Sequence, residues 1–175
     1  MKATLIIHPA DPTTDMLKLI YEHRDFTVVN DGNIPEEDLR TMIEEHDRII
    51  MLGHGTPSGL LNPQRGGYLI DSRYADLLKE KETISVWCHS DQFFRKHGIK
   101  GFHTGMIISE VYEAQAVLGE TPLDEEETLD NMIKFSQIIA DSLDMTPLQM
   151  KDYVLDKYVG NDKVTLYNRK NIIVL

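Results

Sequence analysis

Short apolar runs alternate with helix-like segments through the first two-thirds of the chain. This pattern predicts an α/β fold, a three-layer αβα sandwich on a mostly parallel central sheet, within a single domain spanning residues 1–175. Three observations carry it. The apolar runs are four to five residues long, as strands are. The segments between them hold apolar residues at helical spacing. The links are short, which favours parallel strands joined by right-handed crossovers.

Thr4–His8 is the first apolar run, closed by Pro9, and Thr13–His23 follows with Met16, Leu17 and Ile20 on one helical face. Phe26–Asn30 is the second strand, ended by Asp31-Gly32. Pro35 suits the first turn of a helix whose stripe is Leu39, Met42 and Ile43. Arg48–Leu52 is the third strand, apolar on both faces as a central parallel strand should be. A glycine-rich turn, Gly53–Gly59, leads into a small hairpin whose arms are Leu60–Asn62 and Tyr68–Ile70. Ser72 is placed to cap a helix carrying Tyr74, Leu77 and Leu78.

Thr83–Trp87 is the fourth strand, running into Cys88, and a short helix over Asp91–His97 comes next. Lys100–Ile108 should contain a fifth strand and Glu110–Leu118 another helix. The acidic stretch Glu120–Asp130 fits a solvated loop and helix start, where negative charge suits the helix dipole. Met132, Ile133, Ala140 and Leu143 continue that helix, and Thr146-Pro147-Leu148-Gln149 has the form of a capping box. Val164–Tyr167 and Ile172–Leu175 are expected to pair as a closing β-hairpin after these C-terminal helices.

Composition excludes several classes. Lys and Arg total 18 against 29 Asp and Glu, a formal net charge of -11. An acidic surface of this kind repels polyanions, so neither nucleic acid nor a membrane surface is an expected partner. The one cysteine, Cys88, rules out an internal disulfide framework. Only Leu5–Ile7 are continuously apolar near the start, too few for a signal-peptide core, and a cytoplasmic location is expected. The turn at Gly53–Gly59 has neither the Lys-Ser/Thr ending of a P-loop nor the spacing of a dinucleotide site. His8, His54, Cys88 and His103 are metal-ligand types but contain no close spaced pair, so no metal and no organic cofactor is expected.

Chemistry gathers where ligands bind in open parallel sheets, outside the carboxyl ends of the strands. His8 closes the first strand, His54 follows the third, and Cys88-His89 follows the fourth. The third and fourth strands should be neighbours, about 4.8 Å apart, which brings the His54 imidazole near the Cys88 thiol. A thiolate is a nucleophile, and an adjacent imidazole can take its proton and later protonate a leaving amine. Gly55 has no Cβ to obstruct its N–H, so Gly55 and Cys88 are candidate backbone donors to an oxyanion. His89 is a further candidate for substrate contact.

The two blocks Ile49–Gly55 (IIMLGHG) and Ile84–Ser90 (ISVWCHS) resemble those of caspase-like cysteine peptidases, in which one apolar strand runs into His-Gly and another into Cys. That group includes caspases, metacaspases, legumains, separases, clostripain and gingipains. The resemblance covers roughly residues 1–118. It implies a caspase-like sheet, related to flavodoxin-like ones, a His54–Cys88 dyad, and a peptide or protein substrate. If an acidic pocket selects Arg or Lys, Asp91, Glu110 and Glu113 are its nearest candidates. Trp87 stands where members of the group commonly have a small residue. Two other readings remain: a non-catalytic binding or regulatory module on the same fold, and a small-molecule hydrolase using the same dyad. The sequence sets neither the substrate nor the oligomeric state.

Overall fold

The computed structural model describes residues 2–175. In chain order the elements begin with β1 (Thr4–Ile7), a 3₁₀ helix (Pro12–Ile20), β2 (Thr27–Val29), α1 (Glu36–Glu45) and β3 (Arg48–Leu52). Three short strands follow, β4 (Gly55–Thr56), β5 (Gly59–Leu61) and β6 (Tyr68–Ile70), then a 3₁₀ turn at Ser72–Tyr74, α2 (Ala75–Leu78), β7 (Glu82–Val86), α3 (Ser90–His97) and β8 (Gly101–Thr104). The chain ends with α4 (Val111–Leu118), α5 (Glu125–Ser142), α6 (Pro147–Lys157), α7 (Lys163–Lys170) and β9 (Ile172–Val174).

The central sheet has the order β2-β1-β3-β7-β8-β9, with β9 antiparallel to β8 and the other neighbours parallel. The expected mostly parallel α/β sheet is therefore present. Residues of β3 alternate between two apolar layers, which explains why the whole strand is buried. Ile50 and Leu52 face the 3₁₀ helix, α5 and α6, packing with Leu17, Phe135, Ile139 and Val154. Ile49 and Met51 face the opposite layer of α1, α2 and α3, with Leu39, Leu78, Phe93 and Phe94. Each such side chain, fully buried, stabilises the fold by about 1.5–3 kcal/mol. The charged residue that opens β3, Arg48, is also buried, but its guanidinium donates to Thr4 Oγ1 at 3.1 Å and to the Leu143 carbonyl at 2.5 Å. These bonds tie the end of α5 to the sheet and satisfy a charge that would otherwise be costly to bury.

The predicted hairpin between Leu60 and Ile70 forms as β5 and β6, which join β4 in a separate three-stranded antiparallel sheet. The segment after β1 is a 3₁₀ helix because its buried residues, Thr14, Leu17 and Ile20, recur every three positions. That is the 3₁₀ period rather than 3.6. Asp71, not Ser72, caps the turn before α2, accepting from the Arg73 N–H. The capping box at Thr146–Gln149 is formed.

The expected closing β-hairpin is not formed. Its first arm is helix α7, capped by Asp162 through a 2.7 Å bond from the Thr165 N–H, with Val164, Thr165 and Asn168 buried along one side. Asn168, expected in the hairpin turn, is instead a buried clamp: its side chain accepts from the Ile108 N–H and donates to the Ile108 carbonyl. The second arm, β9, pairs with β8 at the sheet edge. Among the described residues, no helix is long and apolar enough to cross a membrane.

Candidate active site

The strand order reverses direction at β1: the chain passes from β1 to β2 on one side and then to β3 on the other. The loops leaving β1 and β3 meet at this switch point, where open α/β sheets present their ligand crevice. The loop after β3 supplies His54, and the loop after β1 supplies Asp11 and Thr13. His54 Nε2 lies 2.7 Å from Thr13 Oγ1 and 3.9 Å from Asp11 Oδ2.

The hydrogen-bond directions fix the tautomer of His54. Thr13 has one hydroxyl proton and donates it to Asp11 Oδ1 at 2.7 Å. Its oxygen must then accept from His54 Nε2–H, so in the neutral ring Nδ1 is the nitrogen without a proton. Asp11 also accepts from the Thr13 N–H at 3.0 Å. Burial alone would raise the Asp11 carboxyl, but the two bonds from Thr13 outweigh it and hold the group below its usual range. The His54 imidazole is thus oriented by a hydroxyl and backed by a carboxylate.

Cys88 follows β7, the parallel neighbour of β3, and together with His54 it lines a small cavity of about 20 Å³. Thr13 and Met16 of the 3₁₀ helix also border this space. The Cys88 Sγ donates to the Ile107 carbonyl at 3.5 Å. Burial pushes the thiol up to about 11, with Glu113 and Glu110 adding to the rise. At pH 7 the resting group is therefore a thiol, ionised in only about one molecule in 10⁴.

The turn carrying Cys88 is held from beneath. His89 adopts a left-handed conformation, φ 66°, uncommon for a residue with a Cβ. Its N–H donates to the Gly105 carbonyl at 3.1 Å, and Thr104 Oγ1 donates to the Trp87 carbonyl at 2.9 Å. Below this turn Ser85 Oγ donates to Ser90 Oγ, which donates to the Thr104 carbonyl. With its proton so used, Ser85 accepts from His103 Nδ1 at 2.7 Å. Burial drops His103 to about 3, so its ring is neutral, and it stacks on Phe94 with centroids 3.9 Å apart. His8 is also buried and neutral, lowered to about 4 by burial, between Tyr21 Oη at 3.0 Å and Thr14 Oγ1 at 3.1 Å. Among the described residues, no group of three or more His, Cys, Asp or Glu side chains is arranged to hold a metal ion.

The remaining sequence candidates separate. Gly55 lies against the Trp87 indole, and a Cβ there would fall 2.1 Å from Trp87 Cδ1. Trp87 is 1% exposed, packs with Phe93 and Phe94, and donates from Nε1 to the Thr56 carbonyl at 3.2 Å. Gly55→Ala is accordingly expected to destabilise the protein by about 1–3 kcal/mol through overpacking. Urea unfolding checks this, and an unchanged midpoint would show that the indole has room to move. The His89 ring is taken up locally, at 3.2 Å from Gln92 Nε2. Asp91 sits in the first turn of α3, where its Oδ1 is buried with no hydrogen-bond partner among the described residues. Neither His89 nor Asp91 lines the His54–Cys88 cavity.

Glu113 is buried, and its Oε2 accepts from Ser109 N–H at 2.7 Å, Ser109 Oγ at 3.0 Å and Glu110 N–H at 3.1 Å. It shapes the loop beside Cys88. Glu110 lines a wide cavity that shares Thr13, Met16 and Ser109 with the one bordered by His54 and Cys88. Asp11 and Thr13 are the residues that sequence reasoning missed. The available signal was a carboxylate and a hydroxyl just past the end of β1, the strand that borders β3.

No protein-family model matches this chain, and no curated protein matches it.

Proposed function

We propose that the protein is a cysteine-dependent hydrolase, a caspase-like peptidase, with Cys88 as nucleophile and His54 as general base and acid. One observation carries the reading: His54 and Cys88, from the carboxyl ends of adjacent parallel strands, border the same cavity, with the imidazole oriented by Thr13 and Asp11.

The chemistry follows from the thiol's resting state. Because Cys88 is protonated, its proton passes to His54 Nδ1 as sulfur bonds to the substrate carbonyl carbon. The carbonyl π electrons move onto oxygen, where the Cys88 N–H is the proposed donor; Gly55, expected as a second donor, does not line the cavity. Collapse breaks the C–N bond, the leaving amine takes the proton from His54, and a thioester remains. Water, deprotonated by the same imidazole, then releases the acid and restores the thiol. Asp11 stabilises the transient imidazolium through its charge, and Thr13 keeps Nδ1 available.

Irreversible labelling by a peptidyl chloromethyl ketone tests this. The wild type is expected to be alkylated at Cys88, Cys88→Ala not at all, and His54→Ala about 100-fold more slowly. Equal rates in wild type and His54→Ala would sink the dyad.

The burial that raises the Cys88 thiol to about 11 favours a second reading, a binding or regulatory module in which Cys88 is an inert core thiol. In that case alkylation is slow with every electrophile and indifferent to His54.

A further inference from the structure

The cavity between His54 and Cys88, about 20 Å³, has room for about one water molecule and none for a peptide group. A reacting carbonyl must come within about 3–3.5 Å of the sulfur. The site is therefore closed in this structure. Residues 107–110 run between β8 and α4, and Ile107 and Ser109 wall the cavity. Ser109, with Thr13 and Met16, also borders the open cavity of about 620 Å³ on the other side. The thiol itself is turned to this segment, since Cys88 Sγ donates to the Ile107 carbonyl.

Two buried side chains hold the segment, in place of a sheet ladder or a helix. Residues 106–109 belong to no regular element. Asn168 of α7, fully buried, takes both main-chain groups of Ile108. Glu113 of α4 takes the Ser109 N–H, the Ser109 hydroxyl and the Glu110 N–H on one carboxylate oxygen. The apolar anchorage is small by comparison. Ile108 packs with Ala114 and Val164 in a minor cluster apart from the two layers on the sheet. Of the four residues only Ile107 joins a main layer. A segment with so little of the core can open locally, without global unfolding.

We propose that residues 107–110 form a strap latched over Cys88 by Glu113 and Asn168, and that substrate reaches the thiol only when the strap is released. The inference rests on the hydrolase reading and adds its regulation: the enzyme rests closed. Release frees the thiol from the Ile107 carbonyl and joins the two cavities across Ser109. Glu113 and Asn168 are positioning residues, acting through the strap and touching no substrate.

Hydrogen exchange and alkylation of the full chain test this together. The amides of Ile108, Ser109 and Glu110 are followed by NMR in rising urea, below the unfolding transition. Modification of Cys88 by iodoacetamide is timed in the same solutions. Both rates are expected to rise in parallel, with a urea slope well below that of global unfolding. In Glu113→Gln a neutral acceptor replaces a charged one, and both rates should rise about 10-fold. Ser109→Ala, which removes a single bond, should raise both by a smaller factor and serves if Glu113→Gln does not fold. A thiol that accelerates in Glu113→Gln while the three amides do not reports only the lost charge and overturns the strap. Alkylation that follows global unfolding overturns it too. Cleavage of a pooled fluorogenic peptide library separates the strap from the hydrolase. Cys88-dependent cleavage that rises with the amides supports both. Parallel acceleration of amides and thiol, with no cleavage by any variant, supports the strap and overturns the hydrolase. Cleavage unchanged in a Glu113→Gln protein whose strap amides exchange faster overturns the strap and leaves the hydrolase standing.

Discussion

Replacing His54 with alanine is expected to slow the proposed peptide hydrolysis by about 10²–10⁴-fold, the range that a positioned acid–base group contributes. The effect should fall near the upper end. Burial pushes the Cys88 thiol up to about 11, so little preformed thiolate is left to carry residual activity. Thr13→Val removes the hydroxyl that accepts from His54 Nε2 and should lower kcat about 10-fold, with KM little changed. Asp11→Asn retains an oxygen for Thr13 but removes the charge 3.9 Å from the ring. In that variant kcat should fall, because the imidazolium formed in the transition state loses its counter-charge. Stopped assays of kcat and KM with each variant check these effects. Full activity in Thr13→Val alongside an inactive His54→Ala would confine orientation of the ring to other contacts.

Acid should weaken the fold well above the carboxylate range. His8 and His103 are buried and lowered from 6.5 to about 4 and about 3, each chiefly by burial. The unfolded chain therefore takes protons at about pH 6.5 that the folded chain refuses. The stability these two neutral rings contribute is complete above pH 6.5 and is lost as pH falls from there to their folded values. At about 1.36 kcal/mol per pH unit for each ring, the loss by pH 4 is about 3 kcal/mol apiece. Against a typical total of about 5–15 kcal/mol, that is enough to bring the protein close to unfolding. Urea titrations at successive pH values check this. His8→Gln and His103→Gln should each flatten the slope between pH 6.5 and 4, whatever their stability at neutral pH. A wild-type protein equally stable at pH 4 and pH 7 would contradict the burial of both rings.

Most of the architecture was legible because it rests on periodicity. Arg48–Leu52 is apolar throughout and is buried throughout, and Thr146–Gln149 carries its capping box in the residue types themselves. The adjacency of β3 and β7 followed from a single crossover, and it brought His54 and Cys88 to one cavity. What could not be read depended on bonds between distant segments. Val164–Tyr167 has strand-like residues, yet Asp162 caps it and Asn168 bonds to Ile108, sixty residues away, so it is a helix. Thr13 and Asp11 resemble an ordinary helix cap, which they also form, and only the pairing of β1 with β3 brings them to His54. Glu113 resembles a surface acid and is a buried loop anchor, a difference set by where Ser109 and Glu110 turn.

The packing of Trp87 over Gly55 has an optical consequence. The chain holds a single tryptophan, seated beside the thiol and under the backbone that follows His54. Its fluorescence is therefore a built-in gauge of the loops that carry His54 and Cys88: a blue, shielded emission while the indole stays covered, changing when a reagent reaches the sulfur or the glycine strand lifts away. Stopped-flow traces of that light would time such events without a dye.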